Sequence, residues 1–122
     1  MSQLEQPTDQ TRRIRELNDA LRTAIDPTDA FSMNGTFVVT ANLASKGPAF
    51  LARAVDAMRT FSDFNADNDP YGEHDCAVMQ VDGETVVWKV DTYAPDLEHG
   101  SAAPWDAGVT RRVLTLMLGE DY

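Results

Sequence analysis

The sequence predicts an α+β domain in which a small, mainly antiparallel three-stranded sheet carries three helices on one face, in the order α-β-α-β-β-α. The strongest observation is Asp82-Gly83, a two-residue turn signal between the strand-like runs 76–81 and 84–92. Apolar residues at helical spacing elsewhere in the chain predict the helices. With 122 residues and a hydrophobic fraction of 43%, we expect one globular domain over residues 1–122, with residues 1–7 as a flexible lead.

The first element is an amphipathic helix that Thr8 or Asp9 caps and that Asp26-Pro27 ends. Apolar residues recur along one side of it: Ile14, Leu17, Leu21 and Ala24. The other side is basic: Arg12, Arg13, Arg15 and Arg22. We interpret this basic side as a solvated face, and the alternative is a patch that docks the acidic half of the same chain.

The run Phe37–Ala41 is rich in β-branched residues and predicts a short strand. A second helix is expected to begin near Pro48, because proline suits the first turn of a helix. Its buried side comprises Leu51, Ala54, Val55, Met58 and Phe61. We expect Asp106 to cap a final helix that runs through Leu118 and stops at Gly119. Its apolar stripe comprises Val109, Val113, Leu116 and Met117.

The two-residue turn also fixes the register of the hairpin. Ala77 and Trp88 then face each other on the core side, so Trp88 is expected to be buried and Lys89 to point away from the core. The opposite face pairs polar side chains: Cys76 with Lys89, and His74 with Asp91.

The charge of the chain is concentrated in one segment. Residues 61–106 hold eleven carboxylates and a single base, Lys89, so this segment accounts for the whole net charge of −10. A field of one sign affects steering and partner choice rather than fold. Phosphates and anionic lipids attract bases, so direct nucleic-acid binding and membrane binding are disfavoured. We expect a basic protein or protein complex as the partner, and the sequence leaves the oligomeric state open.

The compartment is predicted from cysteine usage and from the absence of targeting signals. Cys76 is the only cysteine, which excludes an internal disulfide and fits a reducing cytoplasm. The first residues do not resemble a signal peptide, and no apolar run approaches the ~20 residues of a membrane span. We therefore expect a cytoplasmic protein. We also expect no cofactor.

A calcium-like pattern is present in the acidic segment. Oxygen-bearing side chains alternate as they do at the start of a calcium loop: Asp63, Asn65, Asp67 and Asp69. The template then fails, because Asn68 replaces the glycine of the sixth position and His74 replaces the glutamate of the twelfth. Asp and Asn are also common in loops for turn formation alone. Metal binding by these four residues is a weak alternative.

A second cluster could support catalysis. His74 and Asp75, with Asp91 across the hairpin, could hold a divalent metal, or a carboxylate could orient His74 as a general base. The competing interpretation is a strand-end histidine whose partners only satisfy its hydrogen bonds. No nucleophile is clearly placed beside His74, and Cys76 is expected to be an inert thiol.

Three stretches resemble a known family: residues 67–75 (DNDPYGEHD), 88–93 (WKVDTY) and 110–118 (TRRVLTLML). They are similar to a family of small bacterial proteins of uncharacterised function that are frequent on plasmids, integrated elements and phages. The chain departs from the family pattern at Cys76-Ala77, where Phe-Gly is expected, and at residues 102–105, where an acidic run is expected. The resemblance implies a mobile-element context and no established activity.

Together these observations favour a non-enzymatic acidic interaction protein whose surface imitates the phosphates of nucleic acid. An inhibitor of a host defence complex, of the anti-CRISPR or anti-restriction kind, fits that description. The expected binding surface comprises Asp67, Asp69, Glu73, Asp96 and Glu98. Two alternatives remain: a metal-dependent hydrolase centred on His74, Asp75 and Asp91, and a soluble structural or regulatory domain whose acidity serves solubility.

Overall fold

The computed structural model describes residues 8–24 and 34–122, and it confirms the α+β class. The elements in chain order are α1 (Asp9–Thr23), β1 (Gly35–Val39), α2 (Ala41–Ala44), α3 (Pro48–Thr60), β2 (Cys76–Val81), β3 (Glu84–Tyr93) and β4 (Arg111–Leu118), with 3₁₀ turns at Ala107–Val109 and Gly119–Asp121. The expected flexible lead at residues 1–7 and the helix stop at Asp26-Pro27 lie outside the described residues.

The sheet has four strands in the order β1-β4-β3-β2, so the expectation of a three-stranded sheet is wrong. The two pairs β2–β3 and β3–β4 are antiparallel, whereas β1 and β4 are parallel. The sheet is therefore mixed, and the element order is α-β-α-α-β-β-β.

The additional strand is β4, which replaces the final helix expected over residues 106–118. Alternate residues of this segment are buried on the core side: Arg112, Leu114, Leu116 and Leu118. The apolar residues from Val109 to Met117 fit helical spacing, but the same segment also alternates between buried and less buried residues, as a strand does. It forms a strand because β1 and β3 are available for pairing on either side. Asp106 does act as a cap, since its carboxylate accepts a hydrogen bond from Gly108 N, but it caps only the turn Ala107–Val109.

The hairpin is confirmed, and its register is the expected one. Ala77 pairs with Trp88 and Cys76 with Lys89. Asp82 and Gly83 have positive φ values of 52° and 81°, the geometry of a two-residue turn that matches the strand twist. Trp88 is fully buried, as expected.

The helices pack on the face of the sheet that carries Trp88. Ile14, Leu17 and Leu21 of α1 are buried, and Thr8 Oγ1 caps this helix by accepting from Thr11 N. The helix α3 begins at Pro48, as expected. Its buried residues are Phe50, Ala54 and Met58, while Leu51, Val55 and Phe61 are partly buried against the core.

The strand β1 lies at one edge of the sheet. It starts two residues before the expected Phe37 and ends at Val39, because Thr40 caps α2 by accepting from Leu43 N. In the described residues, no helix is long and apolar enough to cross a membrane.

Candidate functional site

Two acidic loops lie at the same end of the sheet. Residues 62–75 lead into β2 and residues 94–110 follow β3, and these strands are antiparallel neighbours. The end of β3 and the start of β4 also meet there, since Tyr93 pairs with Arg111. We call residues 62–75 and 94–106 the acidic end. It holds eight of the eleven carboxylates of the acidic segment: Asp63, Asp67, Asp69, Glu73, Asp75, Asp96, Glu98 and Asp106.

The first loop of the acidic end is shaped by asparagine side chains. Asn65 Oδ1 accepts from the backbone N–H groups of Asp67 and Asn68, at 2.9 and 3.1 Å. Asn68 Nδ2 donates to the carbonyl of Asp63 at 2.8 Å. The side-chain oxygen of Asn65 is thus used within the turn. The ligand oxygens of Asp63, Asp67 and Asp69 do not come together within 4.8 Å of one another.

His74 fixes this loop to α1 rather than to the hairpin. Its ring stacks on Phe64 with centroids 3.7 Å apart, and its Nδ1 lies 2.9 Å from Asp19 Oδ1. The expected pairing of His74 with Asp91 is wrong, because the paired residues of β2 begin at Cys76 and the positive φ of His74, 52°, marks a break before the strand.

Asp69 is part of the same anchor and is not a solvated loop residue. Its side chain is 6% exposed, and its Oδ1 accepts from His74 N at 3.1 Å. Its Oδ2 lies 3.6 Å from His74 Nε2. Of the expected binding surface, Asp69 therefore supports the loop from inside, whereas Asp67, Asp96 and Glu98 are exposed.

Three buried polar residues behind the loop were missed by the sequence reasoning. Arg22 Nη1 donates to the carbonyls of Met58 and Phe61, at 2.8 and 3.0 Å. Asn18 Nδ2 donates to the carbonyl of Glu73 at 3.0 Å, and its Oδ1 accepts from Arg112 Nε. Burial lowers the pKa of Arg112 to about 10, with a further lowering from Arg13 and an opposing effect from Glu73.

The sequence did contain a signal for Asn18 and Arg22, since they directly follow the buried Leu17 and Leu21 and, four residues apart, lie along the border of the apolar side of α1. The basic side of α1 therefore has two roles. The expectation of a solvated face is wrong for Arg22, which is 4% exposed and holds the start of the acidic loop. Arg13 is exposed and forms a local ion pair with Glu16.

Glu73 is a half-buried carboxylate near the end of the first loop. Its pKa is raised by burial first, and then by the negative charges of Asp75 and Asp69. Arg112 opposes that rise. Glu73 is half-buried, so it is a smaller part of the exposed surface than expected.

The second loop forms a tight turn around Asp96. Its Oδ1 accepts from the backbone N–H groups of Glu98 and His99, and its Oδ2 lies 2.9 Å from His99 Nδ1. These hydrogen bonds lower the pKa of Asp96. Ligand atoms of Asp96, Glu98 and His99 lie within 4.8 Å of one another, and all three residues are exposed. They are the residues of the described chain that come nearest to a metal-binding geometry.

A groove of about 620 Å³ crosses the sheet face opposite the helices. Its lining includes Asp75, Cys76, Lys89, Asp91, Thr115 and Tyr122. Lys89 Nζ lies 3.0 Å from Asp91 Oδ2. Burial, followed by the charges of Asp75 and Asp69, raises the pKa of the Cys76 thiol, so this thiol is protonated at neutral pH.

The structure thus brings together only two members of the proposed catalytic cluster. Asp75 and Asp91 both line the groove, and the pKa of Asp75 is raised by burial and by its neighbours Asp69 and Asp91. His74 is not among the described residues that line the groove, because its ring lies against Phe64 and Asp19.

Most of the acidic end is not neutralised within the described part of the chain. Asp69 and Asp96 contact histidines, but no Lys, Arg or His nitrogen among residues 8–24 and 34–122 lies within 4.0 Å of the other carboxylates of the acidic end: Asp63, Asp67, Glu73, Asp75, Glu98 and Asp106. Lys46 and Arg53 instead pair with carboxylates at the hairpin turn, Glu84 and Asp82.

Comparison with known proteins gives one family. A family model described as a protein of unknown function, DUF3768, matches residues 39–121, and the chain belongs to this family. The match begins at the last residue of β1 and includes the acidic end and the strands β2, β3 and β4. The searches of curated proteins and of solved structures gave no match. The family membership confirms that the chain resembles a family of uncharacterised function.

Proposed function

We propose that this protein is a non-enzymatic binding protein whose acidic end docks on a basic, nucleic-acid-binding surface of another protein. The observation that carries the proposal is the grouping of two carboxylate-bearing loops at one end of the sheet. Asp67 and Glu98, one in each loop, are exposed and have no cationic partner within the described residues. Arginine binds carboxylate and phosphate with similar bidentate geometry, so such a surface can occupy sites that normally hold phosphates.

The anchoring of the loops supports this role. A surface that imitates nucleic acid gains affinity when its charges are held in place before binding, because less freedom is lost on docking. His74 and Asn18 hold the first loop against α1, and Asp96 closes the second loop on itself. The charges of the acidic end are therefore presented on a structured surface.

The resemblance to proteins of plasmids and phages gives the proposal its biological context. In that context the protein acts in the cytoplasm as an inhibitor of a host nucleic-acid-handling or defence complex, of the anti-CRISPR or anti-restriction kind. A hydrolase centred on His74, Asp75 and Asp91 has less support, because the His74 ring is used in the contact with Asp19 and Phe64 while both aspartates face the groove.

The test is capture of a partner from host extract, followed by competition with DNA. The wild-type protein should retain a basic protein at low salt and release it at high salt, because charge attraction is screened over a Debye length of ~8 Å at physiological ionic strength. The captured protein, once purified, should lose its bound DNA as increasing amounts of the acidic protein are added.

Two charge-reversed variants make the test specific for the acidic end. The variant Asp67→Lys/Glu98→Lys should lose capture and competition. The matched control Asp56→Lys/Glu120→Lys changes the net charge equally at exposed positions on α3 and the last turn, and it should retain both. Equal capture by the two variants, or capture of a protein that keeps its DNA, would overturn the proposal.

A further inference from the structure

The groove on the sheet face is continuous with the acidic end. Asp75 belongs to both, because it ends the first acidic loop and also lines the groove. From Asp75 the groove runs past Lys89 and Thr115, which are neighbours in the sheet, to Asp121 and Tyr122 at the end of the chain. A partner seated on the acidic end therefore lies beside the opening of the groove.

The charges of the groove favour a cationic occupant. Three carboxylates line it, Asp75, Asp91 and Asp121, against one ammonium, that of Lys89. Lys89 is committed to Asp91 at 3.0 Å, and Asp121 accepts hydrogen bonds from Thr40 and Asn42. Asp75 has no cation within 4.0 Å in the described residues.

The shape and chemistry of the lining favour an arginine side chain over a metal ion. The acidic side chains of the groove do not bring three ligand atoms within 4.8 Å of one another. Tyr93 and Tyr122 add aromatic surface, on which a planar guanidinium stacks, and the guanidinium fork matches a carboxylate. An anionic occupant would face the unpaired Asp75.

We infer that this groove binds an arginine side chain of the basic partner, with its guanidinium between Asp75 and Asp91. The inference rests on the proposed function for the identity of the partner, but the groove itself can be probed with a small molecule. In the bound state the guanidinium pairs with Asp75 and competes with the Lys89 ammonium for Asp91. Asp75 is thus an attractive group for the ligand, and Lys89 is an internal competitor.

The experiment is an NMR titration of the full chain with N-acetyl-L-argininamide. The neutral analogue N-acetyl-L-citrullinamide has nearly the same shape and serves as the ligand control. The arginine probe should shift the amide signals of Asp75, Lys89, Asp91 and Thr115, and the citrulline probe should not. Equal shifts with both probes, or shifts confined to Asp67 and Glu98, would overturn the inference.

Two substitutions in the groove are expected to change the affinity for the arginine probe in opposite directions. Asp75→Asn keeps the side-chain volume and should weaken binding of the arginine probe about tenfold, as expected when a charged hydrogen-bond partner is lost. Lys89→Gln should tighten it about fivefold, because Asp91 is released for the ligand. Asp56→Asn and Lys46→Gln make the same charge changes outside the groove and should leave the affinity unchanged.

The outcomes separate this inference from the proposed function. Probe binding that depends on Asp75, in a protein that does not displace DNA from any captured partner, would support the groove and overturn the proposed function. Displacement of DNA that depends on Asp67 and Glu98, without any effect of Asp75→Asn or Lys89→Gln on the probe, would overturn the groove. A Lys89→Gln variant that binds the probe more weakly than wild type would also overturn it.

Discussion

Asp75 is the residue at which the electrostatic cost of the acidic end is easiest to measure. It is half-buried, and burial raises its pKa above the ordinary value of 3.8, with further contributions from Asp69 and Asp91. A carboxyl group whose pKa is higher in the folded than in the unfolded state favours folding when it is protonated. Ionisation of Asp75 therefore costs stability as the pH rises through its folded pKa.

Because ionisation of Asp75 costs stability, Asp75→Asn should raise the free energy of unfolding at pH 7. The amide keeps the shape of the carboxyl group and removes its charge. The gain should disappear below the ordinary pKa of 3.8 that Asp75 has in the unfolded chain, because the carboxyl group is then protonated in both states. Urea unfolding of wild type and variant across this pH range measures the effect. A variant that is less stable than wild type at pH 7 would contradict it, and Asp56→Asn is the exposed control.

The second residue prediction concerns the core. Trp88 is fully buried at the centre of the sheet and contacts Phe61 and Phe64. Trp88→Ala should lower the free energy of unfolding by about 3–5 kcal/mol, as large aromatic truncations in cores do. Val78→Ala, on the same hairpin but 64% exposed, should stay within about 0.5 kcal/mol of wild type. Similar losses for the two variants in chemical denaturation would show that the burial assigned to Trp88 is incorrect.

At the scale of elements, local signals were predicted well and long-range pairing was not. The hairpin register follows from Asp82-Gly83 alone, because a two-residue turn leaves little freedom in pairing. Residues 111–118 form a strand because they pair with β1 in the sheet. Each of these pairs joins residues more than seventy positions apart in sequence. Helical and strand periodicity both fit residues 109–118, and only the partners of β4 in the sheet decide between them.

The same limit applies to the candidate site. The concentration of carboxylates was evident from composition, and the exposure of Asp67, Asp96 and Glu98 agrees with loop positions. The burial of Asp69 was not predictable, because it depends on His74, which in turn is held by Asp19 from a distant helix. Contacts between loops and helices leave no periodic signal in the sequence.

The attachment of residues 62–75 to α1 can be tested by removing the His74 side chain. His74→Ala removes the stacking on Phe64 and the contact with Asp19, so it should lower the free energy of unfolding by about 1–3 kcal/mol. Amide hydrogen exchange should accelerate within residues 62–75 and remain slow in β3 and β4. His99→Ala removes an exposed histidine from the other loop, so it should leave exchange within residues 62–75 unchanged and cost less stability than His74→Ala. Unchanged exchange in residues 62–75 would contradict the anchoring role of His74.

At the scale of the whole molecule, the net charge of −10 is distributed unevenly. The cations Lys46 and Arg53 pair at the hairpin turn, and Arg22 and Arg112 are buried behind the loops. The exposed part of the acidic end is left to repel itself, which destabilises the folded state at low ionic strength. A surface that serves only solubility has no need to place its charges at one end, whereas a docking surface does.

Because the carboxylates of the acidic end repel one another, the stability of the protein should depend on salt concentration. The free energy of unfolding of the wild type should rise by on the order of 1 kcal/mol as the Debye length falls from ~30 Å at 0.01 M salt to ~3 Å at 1 M. Asp67→Lys/Glu98→Lys should be more stable at low salt and should respond less to added salt, because repulsion within the acidic end is relieved. Asp56→Lys/Glu120→Lys has the same net charge but should keep more of the wild-type response. Urea denaturation at the two salt concentrations measures all three proteins, and equal salt responses of the two variants would show that net charge, not its concentration at the acidic end, controls stability.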